Sequence, residues 1–313
     1  MTRGRFAWWR SLYLPTIGVG VLAVWLSREG WRVLAPWGPL HQIRGAEFQL
    51  AGPVVLGFVL GIFAIERRWP AQPRPAGARG HRVDAMYFVV HALVGVPLMV
   101  LAGNGFSDLL ARHASWLVLP TMPAVPRAVF VVLAVIGIDA FDWIAHYGSH
   151  RLTALWRLHA VHHSQEDLSI LSTFRTSPLV HVGFIITAIP VLTLAGNNAT
   201  PAELLTAFAC FGALPHANVR WSYGRLGRWV ISPTYHRVHH RTTGRLDVNL
   251  GTLFTFWDRL ARRAVFPELG APVPPTGLSG RPVPVEQAEQ RPRYLRLLAR
   301  QLFQPFLREG VIT

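Results

Sequence analysis

Long apolar runs constrain this chain more than any other feature of its sequence. A helix that crosses a membrane needs about 20 largely apolar residues. Runs of about that length lie near residues 12–27, 49–65, 86–103, 128–146 and 179–197, and a shorter one lies near 200–217. Charged residues make up 15% of the chain, against about 25% in soluble domains. We therefore predict an all-α, polytopic membrane bundle of four to six helices, with the last two runs either spanning or paired as a hairpin.

The charge distribution adds an orientation and limits the partners. The formal net charge is +15, and every basic residue is arginine. Such a charge suits nucleic acid or anionic lipid. The arginines flank the apolar runs and do not form one stripe, so we predict a lipid surface and no nucleic acid. The basic N-terminus, loop and tail predict a multi-pass protein of a bacterial inner membrane with both termini in the cytoplasm.

The chain divides into three predicted regions. Residues 1–127 would hold N-terminal transmembrane helices, the first an uncleaved anchor, and residues 128–265 a catalytic region. Residues 266–313 would form a proline-rich linker and a basic amphipathic helix, which lies on the membrane or packs on the protein's own cytosolic part. The single cysteine, Cys210, excludes an intrachain disulfide and any cysteine-based metal site.

Three histidine clusters within residues 128–265 point to metal chemistry. They read His146-Tyr-Gly-Ser-His150, His159-Ala-Val-His162-His163 and His236-Arg-Val-His239-His240. Positions i, i+3 and i+4 share one face of a helix, so each cluster can direct its imidazoles to one side. Imidazole binds Zn, Fe, Cu and Ni. A chance surface pair is a poor explanation for a motif that occurs twice, and eight imidazoles exceed one four-coordinate site. We therefore predict two metal ions in a histidine-rich cap that faces the cytoplasm.

Other polar residues near the clusters receive weaker interpretations. Asp142 lies one turn before His146, and we predict that it accepts the imidazole N–H and so supports the metal ligand. Asp139, one turn earlier, either does the same or pairs with an arginine. His181 is a ligand or an interfacial residue with equal weight. The scattered histidines are interpreted as structural: His41, His81, His91 and His113.

The motifs resemble the fatty acid hydroxylase, or sterol desaturase, superfamily of integral membrane oxygenases. The similar stretch runs from about residue 138 to 261. It contains the three histidine clusters with their flanking Asp142, Trp156 and Ser232, followed by Asn249-Leu-Gly251 and Trp257-Asp258-Arg-Leu260.

The resemblance implies a site and an activity. It implies a cytosolic cap around two Fe ions, with Zn in some purified forms, and O2-dependent hydroxylation or desaturation of a membrane lipid. The lipid would be fatty acyl, sterol-like or an ether lipid. The eight cluster histidines would be ligands, joined by His216 of His216-Ala-Asn218. No GxGxxG loop or haem motif is visible in the sequence, so electrons would come from a partner such as a ferredoxin or cytochrome.

The sequence also departs from the family. Many members carry Arg-x-His-Pro-x-Glu where this chain reads Arg175-Thr-Ser177-Pro, so a histidine and a glutamate are missing. The segment His163-Ser-Gln-Glu166, followed by Ser172-Thr-Phe-Arg175-Thr-Ser177, is instead similar to the alkylglycerol monooxygenase branch. Two other functions stay open: a zinc-dependent membrane hydrolase, for which Glu166 is the nearest candidate base, and a non-catalytic metal-binding membrane protein.

Overall fold

The computed structural model describes residues 51–74, 78–117, 126–180, 183, 202–268, 270–279, 283–285 and 293–306. Regular structure in these residues is helical, apart from two isolated β-bridges. The all-α prediction is therefore confirmed for this part of the chain. The predicted run at 12–27 and nearly all of the one at 179–197, with His181 and His41, lie outside the described residues.

The described residues form nine α-helices, α1 to α9 in chain order. They are α1 Pro53–Arg68, α2 Arg79–Val90, α3 Val96–His113, α4 Arg127–Arg151, α5 Thr153–His163, α6 Ala202–Ala213, α7 Pro233–His239, α8 Phe256–Leu260 and α9 Tyr294–Phe303. Both α1 and α7 begin with proline, which suits the first helical turn because no N–H is needed there. A π-helical turn at His91–Gly95 joins α2 to α3, so one helical segment runs from Arg79 to His113.

Two helical segments in the described residues are long and apolar enough to cross a membrane. They are Arg79–His113 and Ala128–Arg151, each with a mean hydropathy of 2.1 over its most apolar window. They contain the predicted runs at 86–103 and 128–146. Along α4, large apolar side chains such as Val132, Leu133 and Ile136 are exposed. Contiguous apolar surface of this kind marks a membrane or partner contact, as expected of a membrane protein.

The other described apolar runs form shorter helices. The run at 49–65 gives the 16-residue α1. The run at 200–217 gives the 12-residue α6, followed by a 3-10 turn at Leu214–His216. At about 1.5 Å per residue, α6 reaches little more than half of a bilayer's hydrocarbon core. The described part of this run is therefore shorter than a membrane span.

The described core is built from α1, α2, α6 and the 3-10 turn at Ile170–Phe174. Phe63, Tyr87, Ile170 and Phe174 are among its buried residues. The C-terminal helix α9 packs on α2 and buries Leu297. Its opposite side leaves Leu295 and Phe303 exposed. One face of α9 thus packs on the protein, as one of the two predictions for this helix required.

Candidate metal centre

Four segments bring the predicted ligands together. The end of α4 carries His146 and His150, and α5 carries the second cluster. Leu152 is extended between them, and the chain turns there so that α5 packs against α4. The 3-10 turn after α6 supplies His216, and α7 with the residue that follows it supplies the third cluster. Helix α7 begins at Ser232-Pro233, where the Ser232 hydroxyl accepts the Tyr235 N–H at 3.3 Å.

All nine predicted ligands converge, and they do so in two groups. Within each group the candidate ligand atoms lie within 4.8 Å of one another. Group one is His146, His150, His159, His163 and His239; group two is His162, His216, His236 and His240. The groups are adjacent, since the ring centroids of His163 and His240 are 4.6 Å apart. The arrangement provides two neighbouring sites, each with at least four nitrogen donors.

The outward-facing nitrogens show which way the lone pairs point. Nδ1 of His146 lies 2.7 Å from the Leu250 carbonyl oxygen, and Nδ1 of His239 lies 2.9 Å from that of Val248. A carbonyl can accept but not donate, so each ring holds its proton on Nδ1. Its Nε2 lone pair is then directed into the group. Buried Nε2 of His239 has no hydrogen-bond partner in the described structure.

The inward-facing nitrogens are crowded together. Nε2 of His159 lies 3.0 Å from Nε2 of His146, and Nε2 of His216 lies 3.1 Å from those of both His162 and His236. Lone pairs packed this closely need protons or a cation between them. A buried set of imidazole donors suits Zn, Fe, Cu or Ni. The residues present therefore fit a metal ion in each group.

The electrostatic environment keeps the ligands in the form that binds metal. Burial lowers the pKa of His163, His236 and His240 well below the ordinary histidine value, and neighbouring histidines lower it further. The lowering follows because water no longer solvates a charged ring and a second imidazolium would repel it. These rings are neutral at pH 7, as metal ligation requires.

One loop orients three of the five ligands in group one. This acceptor loop, residues Asp247–Gly251, places its acceptors against the rings' outer nitrogens. The Val248 carbonyl faces His239, and the Leu250 carbonyl faces His146. The carboxylate of Asp247 lies 3.0 Å from Nδ1 of His150. The family resemblance had picked out Asn249-Leu-Gly251 without giving it a role, and the structure supplies one.

A buried carboxylate holds the acceptor loop in place. Asp258, at the start of α8, accepts the backbone N–H groups of Leu250 at 2.9 Å and Gly251 at 3.0 Å. It also accepts Nε1–H of Trp143 at 2.9 Å and the hydroxyl of Tyr235 at 3.0 Å. Each carboxylate oxygen thus receives two hydrogen bonds. Asp258 ties the loop to α4 and α7, which both carry ligands.

Asp142 has a different partner from the predicted one. The predicted hydrogen bond from His146 to Asp142 is not formed, because the outer nitrogen of His146 faces the Leu250 carbonyl. Asp142 instead accepts the hydroxyl of Thr252, which directly follows the acceptor loop. It therefore acts on the metal centre by fixing this segment against α4. Asp142 positions the segment that follows the acceptor loop, and no hydrogen bond joins it to His146 in the described structure.

Asp139 has a similar role one turn earlier. Its carboxylate accepts the backbone N–H groups of Leu253 at 2.8 Å and Phe254 at 3.3 Å, and Nε1–H of Trp257 at 2.9 Å. These N–H groups, and not an arginine, are its hydrogen-bond partners in the described structure. Both carboxylates of α4 thus anchor the segment that joins the acceptor loop to α8.

Group two has a buried ion pair behind it that the sequence did not reveal. The Arg175 carbonyl oxygen lies 3.2 Å from Nδ1 of His162. The Arg175 guanidinium donates to Asp84 at 2.6 Å, and both side chains are fully buried. Asp84 also accepts from Gln165 at 2.6 Å and Ser172 at 3.0 Å. Arg175 matches the arginine of the family pattern, and here its carbonyl positions His162.

Replacement of Asp84 by asparagine should destabilise the fold strongly. The variant keeps the side-chain shape but removes the carboxylate charge that pairs with the buried Arg175 guanidinium. Loss of one partner from a buried ion pair costs about 3–5 kcal/mol. Thermal unfolding in detergent measures the loss, with Asp108→Asn on the exposed side of α3 as the matched control. Equal transitions in the two variants would contradict the structural role of the pair.

A cavity of about 550 Å³ opens beside both groups. Five of the nine histidines line it: His146 and His159 of group one, and His162, His216 and His236 of group two. The remaining wall is mostly apolar and includes Leu155, Leu158, Leu179, Val180 and Pro215. Asp142 and Thr252 contribute a polar spot. The cavity can therefore hold an apolar chain against either metal position.

Together, these features define a class of protein. It is a helical membrane protein with two adjacent histidine groups beside an apolar cavity. Residues 131–262 match the family model described as fatty acid hydroxylase. The resemblance predicted from the histidine motifs is therefore confirmed over this stretch. The stretch contains all nine candidate ligands. Eight lie in the three clusters, and His216 lies between the second and third clusters.

Curated relatives match over the same part of the chain. The ornithine lipid hydroxylase OlsE of Rhizobium tropici is 30% identical over 138 residues, which cover 43% of this chain and 41% of that protein. The alkylglycerol monooxygenase of Danio rerio is 29% identical over 133 residues, 41% of this chain and 29% of that protein. The human alkylglycerol monooxygenase is 26% identical, over 41% of this chain and 28% of that protein. The chain thus spans about two-fifths or less of these relatives. No solved structure matches the chain significantly.

Proposed function

We propose that this chain is a membrane-bound oxidoreductase that holds two iron ions on its two histidine groups and hydroxylates a lipid with O2. The observation that carries the proposal is the cavity, because histidines of both groups form part of its otherwise apolar wall. A hydrocarbon chain in this cavity would lie next to both metal positions. The names of the relatives, hydroxylases and monooxygenases of lipids, support hydroxylation over desaturation.

Each group has the donors that the chemistry needs. His146, His150, His159, His163 and His239 would hold one ion, and His162, His216, His236 and His240 the other. Iron bound there supplies the activation of O2 and the oxidation of a C–H bond. Burial keeps His163, His236 and His240 neutral, and hydrogen bonds to backbone carbonyls aim His146, His162 and His239, so the protein would bind the ions with little rearrangement of the site.

The cavity wall would bind and orient the substrate. Leu155, Leu158, Leu179 and Val180 offer apolar contact to an acyl or alkyl chain. Burial of these apolar surfaces together would exclude water from the metal centre, which protects a reactive site from side reactions. We propose that electrons come from an external one-electron donor, because no GxGxxG loop or haem motif is visible in the sequence. We also propose that the centre faces the cytoplasm of a bacterial inner membrane.

Metal analysis followed by oxygen uptake tests the proposal. The chain is purified anaerobically in detergent, its metals are measured, and O2 consumption is followed with dithionite and candidate lipids. The candidates are a free fatty acid, an ornithine lipid and an alkylglycerol. We expect two irons per chain and O2 uptake that requires both iron and lipid, with a product heavier by one oxygen atom.

The other functions predict different results. A zinc hydrolase would contain zinc and would cleave a lipid ester or amide without O2. A non-catalytic metal-binding protein would contain metal and change none of the lipids. Either result in fully metal-loaded, folded protein would refute the oxygenase.

A further inference from the structure

A cluster of arginines lies on the surface next to group one. This basic patch consists of Arg151, Arg241, Arg245, Arg262 and Arg263. Arg241 donates to the Arg245 carbonyl at 2.6 Å, and Arg245 donates to the Arg262 carbonyl at 2.8 Å. These contacts join the loop after α7 to the turn after α8. The patch is therefore a built surface that spans two segments distant in sequence.

An aromatic ring joins the patch to the end of α4. The guanidinium carbon of Arg151 lies 5.3 Å from the ring centroid of Tyr147, and that of Arg263 lies 4.9 Å from it. Tyr147 stacks in turn on Trp143, with centroids 5.2 Å apart and an interplanar angle of 7°. Both arginines are thus held by cation–π contacts to the helix that carries His146 and His150.

The patch lies beside a short route from the surface to a candidate metal ligand. Arg263 donates to the Asp247 carbonyl at 2.6 Å. The Asp247 side chain is 38% exposed, and its carboxylate lies 3.0 Å from Nδ1 of His150. One exposed carboxylate and one hydrogen bond therefore separate solvent from a group-one imidazole. Leu246, between Arg245 and Asp247 in the sequence, is 52% exposed and adds an apolar side chain to this surface.

The charges of the patch are poorly compensated within the protein. None of the five guanidinium groups makes a salt bridge in the described part of the chain. Like charges held together repel one another, so such clusters are typical of surfaces that dock an oppositely charged partner. Backbone carbonyls and aromatic faces position the arginines and leave their charge available.

We propose that the basic patch docks an acidic one-electron carrier protein, which delivers electrons to group one through the edge formed by Asp247 and His150. The inference rests on the proposed function. Hydroxylation combines R–H, O2, two electrons and two protons to give R–OH and water, so two successive dockings would supply the electrons. An anionic membrane would also attract arginines, but its lipids carry no electrons, and this patch lies directly over a ligand.

Charge reversal in the patch tests the proposal. The probe is an acidic [2Fe–2S] ferredoxin, and the test variant is Arg245→Glu with Arg262→Glu. The control is Arg225→Glu with Arg228→Glu, two exposed arginines outside the patch. Equilibrium binding is measured at low and at high salt. Anaerobic reduction of the iron-loaded protein is then followed with ferredoxin and, separately, with dithionite.

We expect the patch variant to bind ferredoxin at least about tenfold more weakly and to be reduced by it correspondingly more slowly. High salt should weaken wild-type binding, and reduction by dithionite should be unchanged. Arg151→Glu serves as a second variant, because Arg151 donates none of the loop's hydrogen bonds. A similar loss in this variant separates a charge effect from loss of loop structure.

The opposing results are distinct. Equal ferredoxin binding by the patch and control variants would overturn the docking site while leaving the oxygenase proposal intact. The docking site would also be overturned if the patch variant still binds ferredoxin but no longer binds vesicles containing phosphatidylglycerol. The patch would then be a membrane contact. A metal-loaded wild type that dithionite cannot reduce would refute both the proposed function and the docking inference.

Discussion

Replacement of His163 or His240 by alanine should abolish lipid oxidation, although the chain should still insert into the membrane. The two residues belong to different groups, with ring centroids 4.6 Å apart. Each variant should therefore bind the ion of its own group more weakly, and metal content should fall from two ions per chain towards one. The reaction would stop in both cases, because the proposed chemistry needs the two ions together.

The matched control is His113→Ala, which removes an exposed histidine at the end of α3. Metal content, membrane insertion and product formation are measured for all three variants. The control should behave as wild type. Full activity in both His163→Ala and His240→Ala would contradict the two-metal site. Loss of both ions in one variant alone would show that the two groups are not separate sites.

Asp258→Asn should have the next largest effect. Both carboxylate oxygens of Asp258 accept two hydrogen bonds, including those from the Leu250 and Gly251 N–H groups. An asparagine would turn one oxygen into an NH2 group that faces two donors. Each buried donor without an acceptor costs about 1–3 kcal/mol. The acceptor loop would shift, and His146, His150 and His239 would lose their alignment.

Loss of such supporting contacts typically costs about 10–100-fold in metal affinity or activity. We expect Asp258→Asn to weaken metal binding by group one selectively. Asp142→Asn is the matched comparison, because an asparagine oxygen can still accept the Thr252 hydroxyl. It should retain nearly normal metal content. Metal titration of the two variants decides the matter, and a larger loss in Asp142→Asn would restore the direct link between Asp142 and His146.

The ligand set was accessible to sequence analysis because helical spacing is a local property. Each histidine cluster repeats at i, i+3 or i+4, so the residues that share a face could be identified before any tertiary structure was known. His216 was different, since a lone histidine carries no such pattern. Its assignment depended on the family resemblance, and the structure places it beside the other candidate ligands of group two.

The supporting residues were harder to predict because their contacts are long-range. Asp258 meets Trp143 across 115 positions, and Asp84 meets Arg175 across 91. Nothing local in the sequence links these pairs. The hydrogen bond predicted for Asp142 followed from proximity on one helix, and a loop from a distant part of the chain supplied the partner of His146 instead. Helix spacing predicts which side chains face one way, while packing decides what they meet.

Isotope labelling tests the central claim most directly. Iron-loaded protein, a reductant and a lipid that it accepts are incubated under O2 labelled with oxygen-18, and in parallel in labelled water under ordinary O2. The account predicts that the new hydroxyl oxygen of the lipid comes from O2 and that none comes from water. Label that enters the product from water alone, with no dependence on O2 or iron, would contradict the account.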